Sequence, residues 1–241
     1  MPAAWLASVS HWASGGVSST SPAMVPAPAT FEAWLDETFG RAIAGESYPQ
    51  FVHREVEDWP EPAPDKEALQ YLIRLFENPE ESLRYFSDSQ IAAGLWGLSS
   101  GDVHCVYNRD IALEDRERLI GSVATFFRDF FDKRCVPQLS NNATGHLSPL
   151  NTICYMWWEV IHIGGAKDDP DADRLNARAM DVKRIVLALP NPACKEAALH
   201  GLGHMVRHSD RAHAVIEDFL RTNTDAALED YARAALSGCI Q

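Results

Sequence analysis

An all-α fold is predicted from three observations. Apolar residues recur at helical spacing along almost the whole chain from residue 31 onward. No stretch shows strict apolar–polar alternation long enough for a sheet strand. Prolines preceded by Asn, Asp or Ser punctuate the periodic segments, as helix starts do: Asn78-Pro79, Ser148-Pro149, Asp169-Pro170 and Asn191-Pro192. With 241 residues and 46% hydrophobic content there is enough apolar side chain for one well-buried core or an elongated helix array.

Residues 1–29 are rich in Ser, Ala, Pro and Gly and lack a helical period. They are expected to be a disordered tail or an over-extended start, with Met24 just ahead of the first amphipathic pattern. Residues 30–241 are expected to form a single all-helical domain. Phe31, Trp34, Leu35 and Phe39 share one face of a first short helix, with Thr30 as N-cap. Residues 44–64 carry four prolines and no sustained period, so they read as a connection. Leu69, Leu72, Ile73 and Phe76 define the next helix, stopped by Asn78-Pro79. Ser87 caps a helix carrying Ile91, Leu95 and Leu98.

The longest predicted helix bears an aromatic stripe of Phe126, Phe127, Phe130 and Phe131 beside Leu119 and Val123. A stripe at this spacing is a core face. Residues 138–147 read as a loop. Ser148-Pro149 starts a helix with Leu150, Ile153, Cys154, Trp157, Trp158 and Ile161, which Gly164-Gly165 ends. Asp169-Pro170 starts another, with Leu175, Ala179, Val182, Val186 and Leu189 on one face. Asn191-Pro192 opens a helix predicted to run as far as His208. Helices from Asp210 and from Thr224 complete the chain, the last closing at Gly238.

The spacing from Asp169 to Asp210 is about 40 residues, within the range of HEAT and armadillo units. Asn191-Pro192, Ala197-Ala198-Leu199 and Leu202-Gly203 resemble the second half of a HEAT-like repeat, and the resemblance covers residues 169–238. It implies antiparallel helical hairpins forming an α-α superhelix in the C-terminal half. HEAT-like folds serve mainly as binding scaffolds and include some enzymes and DNA-repair proteins, so fold alone assigns no function.

Composition excludes several functions. A net charge of −13 repels phosphate backbones, which disfavours nucleic-acid binding and a HEAT-type DNA-alkylation repair enzyme. Arg174, Arg178, Lys183 and Arg184 are interrupted by Asp173 and Asp181 and read as a solvated helix face. Five scattered cysteines without CxxC spacing argue against a disulfide framework or thiolate zinc site and favour a cytoplasmic location. No apolar run has the length of a membrane helix, so no membrane association is expected.

The candidate binding residues are His200, His204, Arg207 and His208. At 100° per residue the three histidines fall within about 80° of one helix side, off the apolar seam. They read as partly solvated structural histidines, as a partner-binding ridge, or as a metal site using an i, i+4 pair. All three cannot share one ion, because they span about 12 Å of helix axis. Glu196 stands four residues before His200 as a partner that would orient it. Glu159, His162 and His213 are the candidates for a further ligand.

Glu159 and His162 also suit a hydrogen bond on their own helix face, since a second Glu-x-x-His is missing. Asp168, Asp169, Asp171 and Asp173 read as a helix start rather than a calcium loop, because Pro170 interrupts them. His104-Cys105 reads as a turn histidine beside a buried thiol. No catalytic residue, metal or cofactor is assigned. The expected function is a non-catalytic helical interaction module, such as an immunity or antitoxin-like protein covering a basic protein partner. The alternative is a metal-dependent hydrolase using His200, His204 and His208.

Overall fold

The computed structural model describes residues 30–40, 62–99, 101–140 and 148–240. Among these residues the fold is all-α, with no strand. No described helix is long and apolar enough to cross a membrane. The expected N-terminal tail, most of the proline-rich connection and residues 141–147 of the expected loop lie outside the described residues.

The early helices follow their sequence signals. Helix α1 (Phe31–Phe39) starts at Thr30, whose hydroxyl accepts the Ala33 N–H at 3.1 Å. Helix α2 (Asp65–Glu77) ends at the Asn-Pro break, and the short α3 (Pro79–Leu83) begins there at once. Ser87 and Gln90 form a reciprocal capping box at the start of α4 (Asp88–Leu98). A 3₁₀ helix, Asp102–Tyr107, has no periodic signal in the sequence and connects α4 to the next long helix.

The aromatic helix is not uniform. Helix α5 (Leu113–Phe126) passes into a π-helical turn, Phe127–Phe131, and ends in the short α6 (Asp132–Arg134). All four phenylalanines of the stripe are fully buried. The rings of Phe126, Phe127 and Phe131 pack around Trp157, with Phe126 stacked on it at 5.4 Å and Phe131 edge-on at 5.6 Å, and Phe130 stacks in turn on Phe126. Trp157 comes from α7 (Pro149–Val160), whose inner face also carries Leu150, Ile153 and Cys154.

Helix α8 (Ala172–Leu187) packs on α5 and on α9 (Pro192–Gly203). Asn191 caps α9 by accepting the Ala193 N–H at 3.0 Å, and Pro192 occupies the first turn, where its missing N–H costs nothing. Helix α9 touches α7, α8, α10 (Asp210–Thr222) and α11 (Ala226–Leu236). It is buried on nearly all sides, from Ala193-Cys194 through Glu196–Gly203. A helix surrounded in this way needs small residues, and Ala193, Ala197, Ala198, Gly201 and Gly203 supply them. The thiols of Cys135, Cys194 and Cys154 converge beside it, and burial pushes the Cys154 thiol up, which keeps it a protonated core filler.

Two expectations change here. Helix α9 ends at Gly203, and residues 204–208 are turns, so Met205, Val206 and His208 leave the helix on which they were expected. The aspartate cluster is more than a helix start. Asp169 is buried and is the counter-ion of Arg116, itself 1% exposed, whose Nε donates to the Val106 carbonyl at 2.6 Å. This pair ties α5, the 3₁₀ helix and the entry to α8 together. Asp171 takes the N-cap position without a side-chain cap bond.

Candidate functional site

The site forms where α7, α9 and α11 meet. Trp158 and Glu159 follow Trp157 on α7. Trp158 stacks on Phe127 of the π turn, with centroids 5.8 Å apart and planes 9° apart. On the other side, α9 presents Gly201 to the indole. A Cβ at Gly201 would lie 2.5 Å from Trp158 Cδ1 and Cγ, so only glycine allows this approach. The close approach brings Glu159 against the two histidines that flank Gly201 on the helix side, His200 and His204.

There the Glu159 carboxylate Oε1 accepts from His200 Nε2 at 2.5 Å and from His204 Nε2 at 2.8 Å. The two Nε2 atoms stand 3.2 Å apart. The three ligand-type atoms lie within 4.8 Å of one another, and this is the one such group among the described residues. His200 is fully buried, whereas Glu159 and His204 reach solvent, with side-chain exposures of 37% and 46%. The other nitrogen of His200, Nδ1, is 2.7 Å from the Tyr231 hydroxyl of α11. That hydroxyl is in turn 3.1 Å from the Tyr155 hydroxyl. Tyr155 also packs against the His200 ring, centroid to centroid 4.4 Å.

Hydrogen bonds from His200 and then His204 hold the Glu159 carboxyl well below the usual carboxylate range. It is therefore an anion aimed at two imidazoles. Burial pushes the Tyr231 hydroxyl far up, so it stays protonated and serves as a fixed hydrogen-bonding group. The His200 ring is thus held from both sides, with Nε2 toward Glu159 and His204 and Nδ1 toward Tyr231.

The group opens on a cleft of about 610 Å³. Glu159, His204, Trp158 and Lys183 line it, together with His162 and Asn176. Its rim is the segment after α7. The Tyr107 hydroxyl donates to the His162 carbonyl at 2.7 Å, and Asn176 Oδ1 accepts the Gly165 N–H at 2.9 Å. A Cβ at Gly165 would meet the Ala172 backbone at 2.4 Å. Gly164-Gly165 therefore lets the rim lie against α8, while α7 itself ends earlier, at Val160.

The sequence candidates separate accordingly. His200 and His204 come together, and Glu159 joins them from another helix. His200 is buried rather than partly solvated. His208 is exposed on the turn after α9 and lies outside the group. Arg207 is exposed, with Nη2 3.4 Å from the Gly238 carbonyl. Glu196 is fully buried and accepts the Ser140 N–H at 2.6 Å, and Tyr231 takes the place expected for it beside His200. His213 faces Glu217 on α10 at 3.6 Å. His162 follows α7 and lines the cleft. Cys105 is buried, with its thiol pushed up to about 12 by burial, which makes it inert as a nucleophile.

Lys183 was missed as a site residue and corrects the reading of its helix face. It is 6% exposed, and its Nζ stands 4.0 Å from the centre of the Trp158 ring. The signal was present in the sequence. At i−4, i−3, i+3 and i+4 Lys183 has Ala179, Met180, Val186 and Leu187, all apolar.

The chain is thus an all-α protein with a two-histidine, one-carboxylate group at the edge of a cleft. No protein-family model, curated protein or solved structure matches it significantly. The likeness of residues 169–238 to HEAT units is carried by sequence pattern alone.

Proposed function

We propose that Glu159, His200 and His204 hold a divalent metal ion and that the protein is a metal-dependent hydrolase acting in the adjoining cleft. The carrying observation is the convergence of two imidazole Nε2 atoms and a carboxylate on one point, with the second nitrogen of His200 engaged by Tyr231. For ligand distances of about 2.0–2.1 Å, a tetrahedral ion sets ligand edges of about 3.3 Å. The Nε2–Nε2 edge is 3.2 Å. The two edges to Glu159, 2.5 and 2.8 Å, need the carboxylate to withdraw by less than about 1 Å. Glu159 is half exposed at the cleft, so it has the freedom to do so.

Two neutral imidazoles and one carboxylate are the ligand set of many catalytic zinc sites, which keep a fourth position for water or substrate. Here the side toward the cleft is the open one. With Nε2 as ligand, His200 carries its proton on Nδ1 and donates it to Tyr231, which passes a hydrogen bond to Tyr155. Such a partner fixes the tautomer and ring orientation of a metal-bound histidine. A divalent ion at this point supplies Lewis acidity for water attack on a carbonyl or phosphoryl centre. The chain's own contributions are to orient the ligands, to wall one side with Trp158, and to place His162 and Lys183 at the cleft.

The interaction-module reading draws on the charge of −13 and gives His204 a place at a contact rim. Burial of His200 weighs against it, because a fully buried ring cannot meet a partner. A reducing cytoplasmic setting suits five free cysteines under either reading.

The test is zinc binding by purified protein after chelator treatment and reconstitution. About one equivalent should bind. His204→Ala, at a half-exposed position, should abolish tight binding while leaving the fold intact. Tyr231→Phe should weaken it by about 10–100-fold. Substoichiometric binding by the wild type, or undiminished binding by His204→Ala, would refute the metal centre.

A further inference from the structure

Lys183 is a cation in an unusual place. It lies on α8, between the seam of Ala179 and Val186 and the flank of Met180 and Leu187, all buried. No carboxylate partners its ammonium among the described residues, and the ammonium stands over the neutral face of Trp158. Desolvation lowers its pKa to about 8, so it is still largely protonated at neutral pH. Lysines are seldom buried unless paired, and an aromatic face replaces only part of the lost hydration. The ammonium also lines the cleft that the metal group opens on. Its missing counter-ion therefore has a place from which to arrive.

The charge inventory points the same way. Among the described residues, the formally charged side chains lining the cleft are Lys183 and Glu159. An ion on Glu159, His200 and His204 outweighs the single negative charge of Glu159. The cleft then becomes a positive spot in a protein of net charge −13. Ligand pockets with one buried charged group and mostly apolar walls use that group to orient the ligand. Trp158, Ile161, Ile163, Ala179 and Met205 supply such walls here.

We infer that Lys183 is the anion-binding residue of the cleft, receiving a carboxylate or phosphate oxyanion of a small substrate whose reacting end faces Glu159, His200 and His204. Trp158 holds the ammonium from one side and leaves its N–H groups free for the oxyanion. The reacting end of this assignment rests on the metal-centre reading. The pairing of Lys183 with an anion does not.

The experiment starts from zinc-reconstituted protein whose metal content is measured before any anion is added. Inorganic phosphate and malonate are then titrated separately by calorimetry into wild type and Lys183→Met, which keeps the length and apolar stem. At least one anion should bind the wild type, and the variant should bind it at least tenfold more weakly. Zinc content should be the same in both. The preferred anion tells a phosphorylated from a carboxylated substrate. Equal anion affinity in the two proteins, or no anion binding by the zinc-loaded wild type, would overturn the assignment. If the wild type fails to take up zinc, the metal reading fails, and the same titrations on the metal-free protein still decide the role of Lys183. A second readout needs no variant. Trace labelling with acetic anhydride should modify Lys183 less when the bound anion is present, and unchanged labelling would count against the assignment.

Discussion

Gly201→Ala tests whether the site depends on the packing of α7 against α9. The new methyl carbon would sit 2.5 Å from Trp158 Cδ1 and Cγ and 2.9 Å from its Cβ. Ordinary carbon contacts are about 3.5–4.0 Å, so about 1 Å of separation must be found. The indole cannot swing aside at little cost. Phe127 is stacked on it and Lys183 Nζ stands 4.0 Å from the ring centre. The atoms struck are also at the root of the side chain, so the strain falls on the spacing of the helices. Overpacking of this kind costs about 1–3 kcal/mol. Alanine returns up to about 1 kcal/mol of helix propensity over glycine. The net destabilisation in urea unfolding should therefore be only about 0–2 kcal/mol. The site should suffer more, because ligand positions must hold to about 0.2 Å and Glu159 moves with α7. Zinc affinity, measured by competition with a chromophoric chelator, should fall by at least tenfold. A variant with wild-type zinc affinity and increased stability would show that the helices yield freely, and would refute Gly201 as the spacer of the site.

Two further predictions concern the frame around it. Trp157→Ala should cost about 3–5 kcal/mol in urea unfolding, since its fully buried ring is the centre of the phenylalanine cluster; a loss below about 1 kcal/mol would contradict that packing. The Arg116 hydrogen bond, with help from the Asp171 N–H, depresses the carboxyl pKa of Asp169 in the folded state. Its stabilisation is fully present above the unfolded carboxylate value of about 3.9 and is lost as pH falls through the folded value. The stability gap between wild type and Asp169→Asn should thus be widest near neutral pH and shrink below about pH 4, and a gap independent of pH would refute the ion pair.

The helices were legible because their signals are local. Thr30, Ser87 and Asn191 cap helices where the sequence places them, and Gly238 closes α11 with φ of 68°. The π turn was not legible, since Phe126, Phe127, Phe130 and Phe131 fit an α-helical stripe equally well. Neither was the end of α9. Helical periodicity continues through Met205 and Val206, but the chain turns after Gly203, where a Cβ would meet Ile240 and Ala235 of the C-terminal segment. That choice is made by tertiary packing, and it removes His208 from the ridge.

The site divides along the same line. His200 and His204 could be paired from their spacing, and Glu159 could be named as a further ligand, but its selection over His162 and His213 needs the α7–α9 contact. Glu159 and His200 are 41 residues apart, and no local rule fixes which helix faces which. What the sequence does carry is the permission for that contact: a glycine directly after His200, on a helix already rich in alanine. A small residue between two potential ligands is easily taken for helix weakness, at a cost of about 1 kcal/mol against alanine. Here the same residue sets the distance at which an indole, a carboxylate and two imidazoles can meet. Lys183 follows the same logic in reverse. Its apolar neighbours one turn away on both sides mark it as buried, and no carboxylate among the described residues partners it, which is the ground for the anion inferred above. Gly201 and Lys183 both line the cleft, but each carries only a local signal, and it is the packing of α7, α8 and α9 that brings them to one place.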